Sequence, residues 1–470
     1  MTNIKVTFFD RTNSWRTIAA LMLATLLLAG IAATNTAQAQ TYTVLYNFGG
    51  LPGDPTTPSL SGLITQGRDG NLYTTSFLGG SHNAGTAFKI TTGGTLTVLH
   101  NFGDWPRSGL VLGTDGYYYG TATYGQGSVF KLGGKQLTTL YSFTGGSDGD
   151  YPFAPPIQGL DGNLYGTTWV GGSSDLGTVY KLTPSGELTT LYEFDGTQGG
   201  YPTAPLMQAT DGNFYGTSSS SAGCCVLSGD GTVFKITPAG VLTTLHFFEG
   251  TDGAIPRAPL VQGSDGNFYG TANEGGEFSG GVVFKLTSAG VYSVLHNFSG
   301  VTTDGAYPDA GLVQASDGNF YGTTVEGGTE FDGTIFSISP QGNFSVLYSF
   351  DGTTGSAPQI TLLQHTNGVL YGEGSGGTYG GGVFFSLDVG APPFVRFLPA
   401  AGMVGKTVEI LGQGFTGTTS VAFNGVPASY SVKSDTFLTA TVPAGATWGF
   451  ITVTTPTGTL TSNKKFIVKP

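Results

Sequence analysis

The chain has 470 residues, enough for a large packed core, and only 10% of them are charged. Its formal net charge of −12 excludes nucleic acid as a natural partner, because an acidic surface repels phosphate backbones. Glycine at 79 positions and an aromatic content of 12% are typical of many short strands joined by tight turns. Long helical periodicity is absent, and we therefore predict an all-β protein.

The first residues have the pattern of a secretory signal peptide, predicted over residues 1–39. Basic residues precede an apolar run over residues 18–33, and Ala37 and Ala39 supply a small-x-small cleavage site before Gln40. The run is shorter than the roughly eighteen residues of a membrane span, so cleavage near Ala39/Gln40 is favoured over an uncleaved anchor. The mature chain would keep 15 basic and 29 acidic residues and no transmembrane segment, and we expect it in the periplasm, at the cell surface or outside the cell.

The only two cysteines are adjacent, at Cys224 and Cys225. Long-range disulfides within one chain are therefore impossible, and a packed core must hold the fold. A vicinal disulfide and two free thiols remain alternative states of this pair. A metal site here would need further ligands, and no histidine lies nearby in the sequence.

Three short motifs each recur seven times between residues 40 and 389, with neighbouring copies of the first 46 to 54 residues apart. The first motif is DGN followed by an apolar or aromatic residue and Tyr, and it begins at Asp69, Asp115, Asp161, Asp211, Asp265, Asp317 and, in degenerate form, Asn367. The second resembles GTVFK and begins at Gly85, Gly127, Gly177, Gly231, Gly281, Gly333 and Gly382. The third resembles TVLYxF and ends at Phe48, Phe102, Phe143, Phe194, Phe248, Phe298 and Phe350.

One repeat, taken from residues 259–298, contains four segments with the β-branched and aromatic content of strands, which we call a to d. Asp265 and Gly266 predict the tight a–b turn, because Asp-Gly readily adopts positive φ. A four-stranded meander with this period is typical of a propeller blade.

The repeat region begins with an isolated strand d at residues 42–48 and ends with strands a, b and c over residues 360–387. If the N-terminal strand pairs with residues 383–387, it completes the last blade and removes two exposed sheet edges. We therefore predict a seven-bladed β-propeller over residues 40–389, closed by its N-terminal strand. An open solenoid and two sandwiches are the alternatives.

The units DGNFYGT, GTVFKIT and LTTLYSF, together and in this order, resemble the bacterial GloVer repeat family over residues 41–388. The resemblance implies an exported tandem-repeat protein with an anchoring or accessory domain at its end. DGNLYGT alone also looks like the DGNLWF motif of other propellers, including virginiamycin B lyase and the periplasmic propellers of sensor kinases.

Residues 390–393 (GAPP) form a predicted linker to a second domain over residues 394–470. The segments VEILGQGF, SVAFNG, LTATVPAGA and GFITVTTPTG resemble an IPT/TIG domain. The resemblance implies an immunoglobulin-like β-sandwich, a module that serves as a spacer, an interaction domain or an accessory to carbohydrate enzymes.

Few residues offer catalytic chemistry. Three of the five histidines occupy a strand-d position that other repeats fill with Tyr, which predicts a packing role and leaves His82 and His365 as weak catalytic candidates. The recurring aspartates are predicted turn formers, and a glutamine that recurs in strand a either faces water in the channel or bonds to neighbouring backbone.

The long b–c and d–a connections leave the blades on one side, which we call the loop-rich face. Aromatic rings stack on sugar faces, and acidic side chains bind hydroxyl groups or Ca²⁺, so this face suits a carbohydrate or a surface protein. No defined metal motif is present, so we predict no cofactor, with Ca²⁺ as the one ion that this face could bind. The candidate ligand-binding residues are Trp105, Tyr124, Tyr151, Trp169, Tyr201, Tyr307 and Tyr379.

The leading functional hypothesis is a secreted or cell-surface binding scaffold without catalytic activity, with its ligand on the loop-rich face. The rival is a lyase or hydrolase with a site at the channel mouth, similar to virginiamycin B lyase. A purely structural envelope protein is the third alternative, and it predicts self-association without a soluble ligand.

Overall fold

The computed structural model describes residues 40–58, 62–220, 229–302 and 304–469. These residues form strands and turns without an α-helix, which confirms the all-β prediction, and none of them belongs to a helix able to cross a membrane. The predicted signal peptide and the pair Cys224 and Cys225 lie outside the described residues.

The repeats form seven antiparallel sheets, the blades, numbered from the sheet that contains Thr65. Each blade has four repeat strands, and the sheet of blade 1 also includes Pro55–Pro58. In each blade the strands pair in the order a-b-c-d, with a innermost. Strands a to d are Thr65–Gln66, Leu72–Gly79, Thr86–Ile90 and Leu96–Asn101 in blade 1; Val111–Leu112, Tyr118–Ala122, Ser128–Gly133 and Gln136–Ser142 in blade 2; Ile157–Gln158, Leu164–Thr168, Thr178–Leu182 and Leu188–Glu193 in blade 3; Met207–Gln208, Phe214–Ser218, Thr232–Ile236 and Leu242–Phe247 in blade 4. They are Val261–Gln262, Phe268–Ala272, Val282–Leu286 and Tyr292–Asn297 in blade 5; Val313–Gln314, Phe320–Thr324, Thr334–Ile338 and Phe344–Ser349 in blade 6; Leu363–Gln364, Leu370–Gly374, Val383–Asp388 and Thr41–Asn47 in blade 7. Short extra strands, in the long connections, are Pro55–Pro58, Gly305–Ala306 and Glu326–Gly327.

The last blade takes its outer strand from the N-terminus, as the split repeat predicts. Thr41–Asn47 runs antiparallel to Val383–Asp388, with Thr41 opposite Asp388 and Asn47 opposite Val383. Phe48, directly after this strand, is fully buried. The N-terminal strand is thus joined to the last repeat by a ladder of backbone hydrogen bonds with one register shift, between Val44 and Tyr46.

The recurring DGN motif stabilises each a–b turn. In blade 5, Gly266 has a φ of 84°, and Asp265 accepts hydrogen bonds from Asn267 N at 3.1 Å and from the Tyr269 hydroxyl at 2.8 Å. The aspartate therefore ties the turn to strand b. These carboxylates are part of the frame, as the sequence predicts.

Residues after the propeller form two packed sheets around a core that includes Val408, Phe423, Leu438, Ile451 and Phe466. This arrangement is the predicted immunoglobulin-like sandwich. One sheet contains Arg396–Leu398, Thr407–Leu411, Tyr430–Ser434 and Phe437–Thr441. The other contains Ala401–Met403, Ser420–Phe423, Val426–Pro427, Gly449–Thr455 and Gly458–Lys469.

The sandwich packs on the face of the propeller that carries the a–b turns. On blade 1, Arg68 Nε donates to Glu409 Oε2 at 2.9 Å, and the backbone carbonyl of Arg68 accepts from Thr436 Oγ1 at 2.7 Å. On blade 7, Thr366 Oγ1 accepts from Gln413 Nε2 at 3.1 Å. These contacts join the C-terminal sandwich to blades 1 and 7, where the ring closes.

The same domain reaches the other blades of this face. The linker that precedes the domain also contacts this face, where Ser316 Oγ of blade 6 donates to Pro392 O at 2.6 Å. Ile467 and Lys469, near the end of the chain, border a cavity of about 380 Å³ together with Leu160 and Thr210 of blades 3 and 4. The sandwich therefore lies across the channel mouth on the a–b side, and the loop-rich face is the opposite one.

Candidate functional site

The recurring glutamines of strand a act as clamps between neighbouring blades. Gln208 accepts a hydrogen bond from Leu160 N of the preceding blade at 2.9 Å and donates to Gly212 O of its own turn at 2.9 Å. Of the two roles left open by the sequence, bonding to neighbouring backbone is therefore the one observed. The same pair of bonds is made by Gln158, Gln262, Gln314 and Gln364.

On the loop-rich face, every d–a connection contains a residue with positive φ followed by proline. Tyr201 has a φ of 56°, and its N–H donates to Leu176 O of the preceding blade at 2.8 Å. Pro202 then packs so closely on Gly177 that a Cβ there would lie 2.8 Å from the proline ring. The residues at this position are Thr57, Trp105, Tyr151, Tyr201, Ile255, Tyr307 and Ala357.

Left-handed backbone at a non-glycine residue is costly, and it persists only where surrounding contacts enforce it. Here the enforcing contact is the backbone hydrogen bond to the preceding blade. It recurs whether the residue is Thr, Ile, Ala or aromatic. The frame therefore fixes where these side chains stand, and the sequence decides which blades present rings. Trp105, Tyr151 and Tyr307 are 37–38% exposed in these positions.

Blades 1 to 4 bring several rings together in one continuous group. The Phe153 and Trp169 rings stack with centroids 5.1 Å apart and an interplanar angle of 22°. Tyr151 lies 6.3 Å and Tyr201 6.0 Å from Trp169, measured between centroids. The aromatic platform, as we name it, consists of Phe77, Arg107, Tyr151, Phe153, Trp169 and Tyr201.

Arg107 holds the platform together across three blades. Its guanidinium carbon lies 4.7 Å from the centroid of Phe77 in blade 1 and 5.1 Å from that of Phe153 in blade 3. Burial lowers the pKa of Arg107, although the side chain remains positively charged at neutral pH. No described carboxylate forms an ion pair with Arg107.

The family model of the Gloeobacter/Verrucomicrobia repeat matches residues 29–225, 121–315 and 221–396. The chain belongs to the Gloeobacter/Verrucomicrobia repeat family. A model of the IPT/TIG domain matches residues 392–468 of this Gloeobacter/Verrucomicrobia repeat protein, where the sandwich lies. No curated protein sequence matches the chain.

Several solved structures are similar to this repeat protein in fold. A gluconolactonase of Xanthomonas campestris is 10% identical with a TM-score of 0.40, and the match covers 75% of this chain and 90% of that one. A candidate 6-phosphogluconolactonase of Bacteroides fragilis is 17% identical with a TM-score of 0.45, over 73% of this chain and 91% of that one. At these values the likeness carries no information about activity.

The structure separates the seven predicted binding residues into groups. Tyr151, Trp169 and Tyr201 belong to the platform, whereas Trp105 and Tyr124 form a pair of their own, 5.7 Å apart. No contact with another described aromatic ring is observed for the remaining two, Tyr307 and Tyr379.

Sequence reasoning missed Phe77, Arg107 and Phe153. Arg107 and Phe153 each stand two residues after the positive-φ position, and Phe77 lies near the end of strand b of blade 1. This shared spacing was a usable signal, but no repeat motif contains these residues.

Several acidic residues of the loop-rich face bond to the strand-d His or Tyr. Asp252 Oδ2 lies 2.9 Å from His246 Nε2, Asp304 Oδ1 lies 3.1 Å from His296 Nε2, and the Tyr141 hydroxyl donates to Asp148 at 3.0 Å. Burial nevertheless lowers the pKa of His246. These acids hold the loops, and no group of three or more potential metal ligands occurs in the described ranges.

The two catalytic candidates, His365 and His82, lie in different environments. His365 is buried, its Nε2 lies 3.0 Å from Gly70 O of blade 1, and its Nδ1 accepts from Asn367 N at 3.2 Å. Burial lowers its pKa, and both ring nitrogens are engaged within the frame. His82 is exposed, and its Nδ1 lies 3.2 Å from Ser81 Oγ.

Proposed function

We propose that the protein is an exported binding scaffold that holds a carbohydrate on the aromatic platform. The observation that carries this proposal is the stacked pair Phe153 and Trp169, flanked by Tyr151 and Tyr201 at the edge of the loop-rich face. Aromatic rings bury the apolar faces of sugar rings, and phenolic hydroxyls at the rim can bond to sugar hydroxyls.

Two further features support the proposal. The backbone joins between blades fix the positions of Tyr151 and Tyr201, so little conformational entropy is lost when a ligand stacks on them. The sandwich occupies the opposite face of the propeller, which leaves the platform open to large ligands such as polysaccharides.

The test is a glycan array followed by calorimetry with the protein purified from periplasm or medium, whose N-terminus is expected near Gln40. We expect Trp169→Ala to weaken glycan binding at least about tenfold, the effect of an interface aromatic worth roughly 1.4 kcal/mol. Tyr201→Ala should weaken it less. The matched control is Trp448→Ala, because Trp448 is 57% exposed in the sandwich and lies outside the platform.

Melting temperatures of all variants establish that each is folded. The proposal is wrong if no glycan binds, or if Trp448→Ala removes binding while Trp169→Ala and Tyr201→Ala leave it intact. Self-association without glycan binding would instead favour the structural envelope protein.

A further inference from the structure

Two cationic side chains of the sandwich stand at its surface against the propeller. In the strand Arg396–Leu398, Phe397 faces the sandwich core, so Arg396 and Leu398 face the other way. Leu398 packs against the buried group of blades 1 and 2 that contains Tyr73 and Tyr118. Arg396 is therefore directed toward the propeller, and Lys464 lies close enough for the two positive charges to interact.

The strands that carry these residues cross the channel mouth. At one side, Phe394 N donates to Thr366 O of blade 7 at 3.1 Å. At the other side, Ile467 lies beside Leu160 and Thr210 of blades 3 and 4, which are opposite blade 7 in a ring of seven. A bridge between Val395 and Ser462 joins the two strands. Arg396 follows Val395 directly and Lys464 lies two residues after Ser462, both between the two anchored sides.

Neither cation has a partner in the part of the chain that the structure describes. No hydrogen bond or ion pair is formed by the side chain of Arg396 or Lys464. Burial, and then the charge of Arg396, lowers the pKa of Lys464 to about 8, although the side chain remains accessible to water. Lys464 is exposed to water and lies on a strand that crosses the channel mouth between blade 7 and blades 3 and 4, which places it in a water-filled recess.

The inner strands indicate which recess this is. Ile157, Val261 and Gln262 belong to strand a, the innermost of each blade, and each keeps part of its surface accessible. Water therefore reaches the channel wall. With its a–b mouth covered by the sandwich, the channel has a floor, and the two unpaired cations lie at that floor.

We propose that Arg396 and Lys464 form an anion site at the floor of the channel, which takes a small molecule carrying a carboxylate, phosphate or sulfate group. The chain has 30 acidic residues, and none of those that the structure describes forms an ion pair with Arg396 or Lys464. Arg and Lys side chains bind oxyanions through charge-assisted hydrogen bonds, which are the strong ones. This site is separate from the aromatic platform on the opposite face.

The test is isothermal titration calorimetry of the protein from Gln40 onward with phosphate, sulfate and glucuronate, and with glucose as the neutral counterpart of glucuronate. We expect the anions to bind and glucose to give no heat from this site. Lys464→Ala and Arg396→Ala should each weaken anion binding about tenfold or more, since each removes a charged donor. Preference among the three anions distinguishes an inorganic oxyanion from a sugar acid.

The matched control is Lys465→Ala, because Lys465 is the neighbouring cation and its Nζ lies 5.8 Å from the Phe450 ring centroid, away from Arg396. In anion-free buffer, Lys464→Ala should melt no lower than the parent protein, because it loses only like-charge repulsion. The proposal is overturned if the parent protein binds none of the three anions, or if binding survives both substitutions. Loss of binding in Lys465→Ala alone would also overturn it.

Discussion

We call the interface between neighbouring blades a seam. The seam between blades 7 and 1, which closes the propeller, differs chemically from the other six. In the six, a strand-b threonine bonds to the next blade: Thr167 Oγ1, for example, donates to Ala204 O at 3.2 Å. In the closing seam this position is Glu373, which is fully buried with both carboxyl oxygens unpartnered among the described residues. The six threonines are Thr75, Thr121, Thr167, Thr217, Thr271 and Thr323.

The first blade contributes a second difference to the same seam. Thr74 stands where the other blades have glycine, and its hydroxyl is also buried and unpartnered. It pairs with Phe88, whose ring lies 5.5 Å from Phe48 of blade 7, so Thr74 faces the closing seam. The backbone ladder closes the last blade, whereas two polar side chains of this seam, Glu373 and Thr74, have no hydrogen-bond partner among the described residues. Closure of the ring thus depends on strand pairing and apolar packing, and the buried Glu373 and Thr74 oppose it.

The largest effect is expected from removing the N-terminal strand. A protein truncated to begin at Gly49 loses the ladder with Val383–Asp388 and the buried ring of Phe48, and exposes the sheet edge of Val383–Asp388. We expect its melting temperature to fall sharply and the protein to aggregate, because burial of one such ring is worth about 3–5 kcal/mol. Circular dichroism melts and size-exclusion chromatography measure this. Unchanged melting after the truncation would show that the seam does not close the ring.

The substitution Glu373→Thr should raise the stability of the protein instead of lowering it. Burial raises the pKa of Glu373 well above its ordinary value, so folding at neutral pH requires a protonated or unsolvated acid. Replacing it with the threonine of the other seams should stabilise the protein by about 1–3 kcal/mol, the cost of a buried unsatisfied polar group. Urea unfolding of both proteins measures the difference, and the reverse exchange Thr323→Glu in blade 6 should destabilise by a similar amount.

The difference between the parent protein and Glu373→Thr should depend on pH in one direction. A raised native pKa means that the native state keeps its proton after the unfolded state has lost it, so parent stability falls as pH rises. The gain from Glu373→Thr should thus be smallest at or below about pH 4.3, the pKa of an unfolded Glu, and grow upward from there. A gain that stays constant from acid to neutral pH would contradict the assignment.

The sequence predicts the parts of this molecule that repeat and misses the parts that depend on single exceptions. Seven copies of the third motif, one of them ending at Phe48 before the first complete repeat, were enough to predict the closing strand pair. The docking of the sandwich depends on Arg68 and Glu409, each present once and outside every motif, and their pairing needs two distant segments to meet. Arg107 and Phe153 were missed for the same reason.

A smaller effect is expected from replacing strand-a glutamines that bond to a neighbouring blade in two different seams. Gln66, in the closing seam, is 1% exposed, accepts from Thr366 N at 3.1 Å and donates to Thr366 Oγ1 at 2.8 Å. Gln262 makes its clamp to Thr210 N at 3.0 Å in a half-exposed position where water can replace it. Gln66→Ala leaves the buried Thr366 N–H without a partner, which costs about 1–3 kcal/mol, whereas Gln262→Ala should cost about 1 kcal/mol or less. Urea unfolding of the two variants measures both losses. Equal losses would mean that the closing seam is as wet as the others, and the stability gain expected for Glu373→Thr would then lose its physical basis.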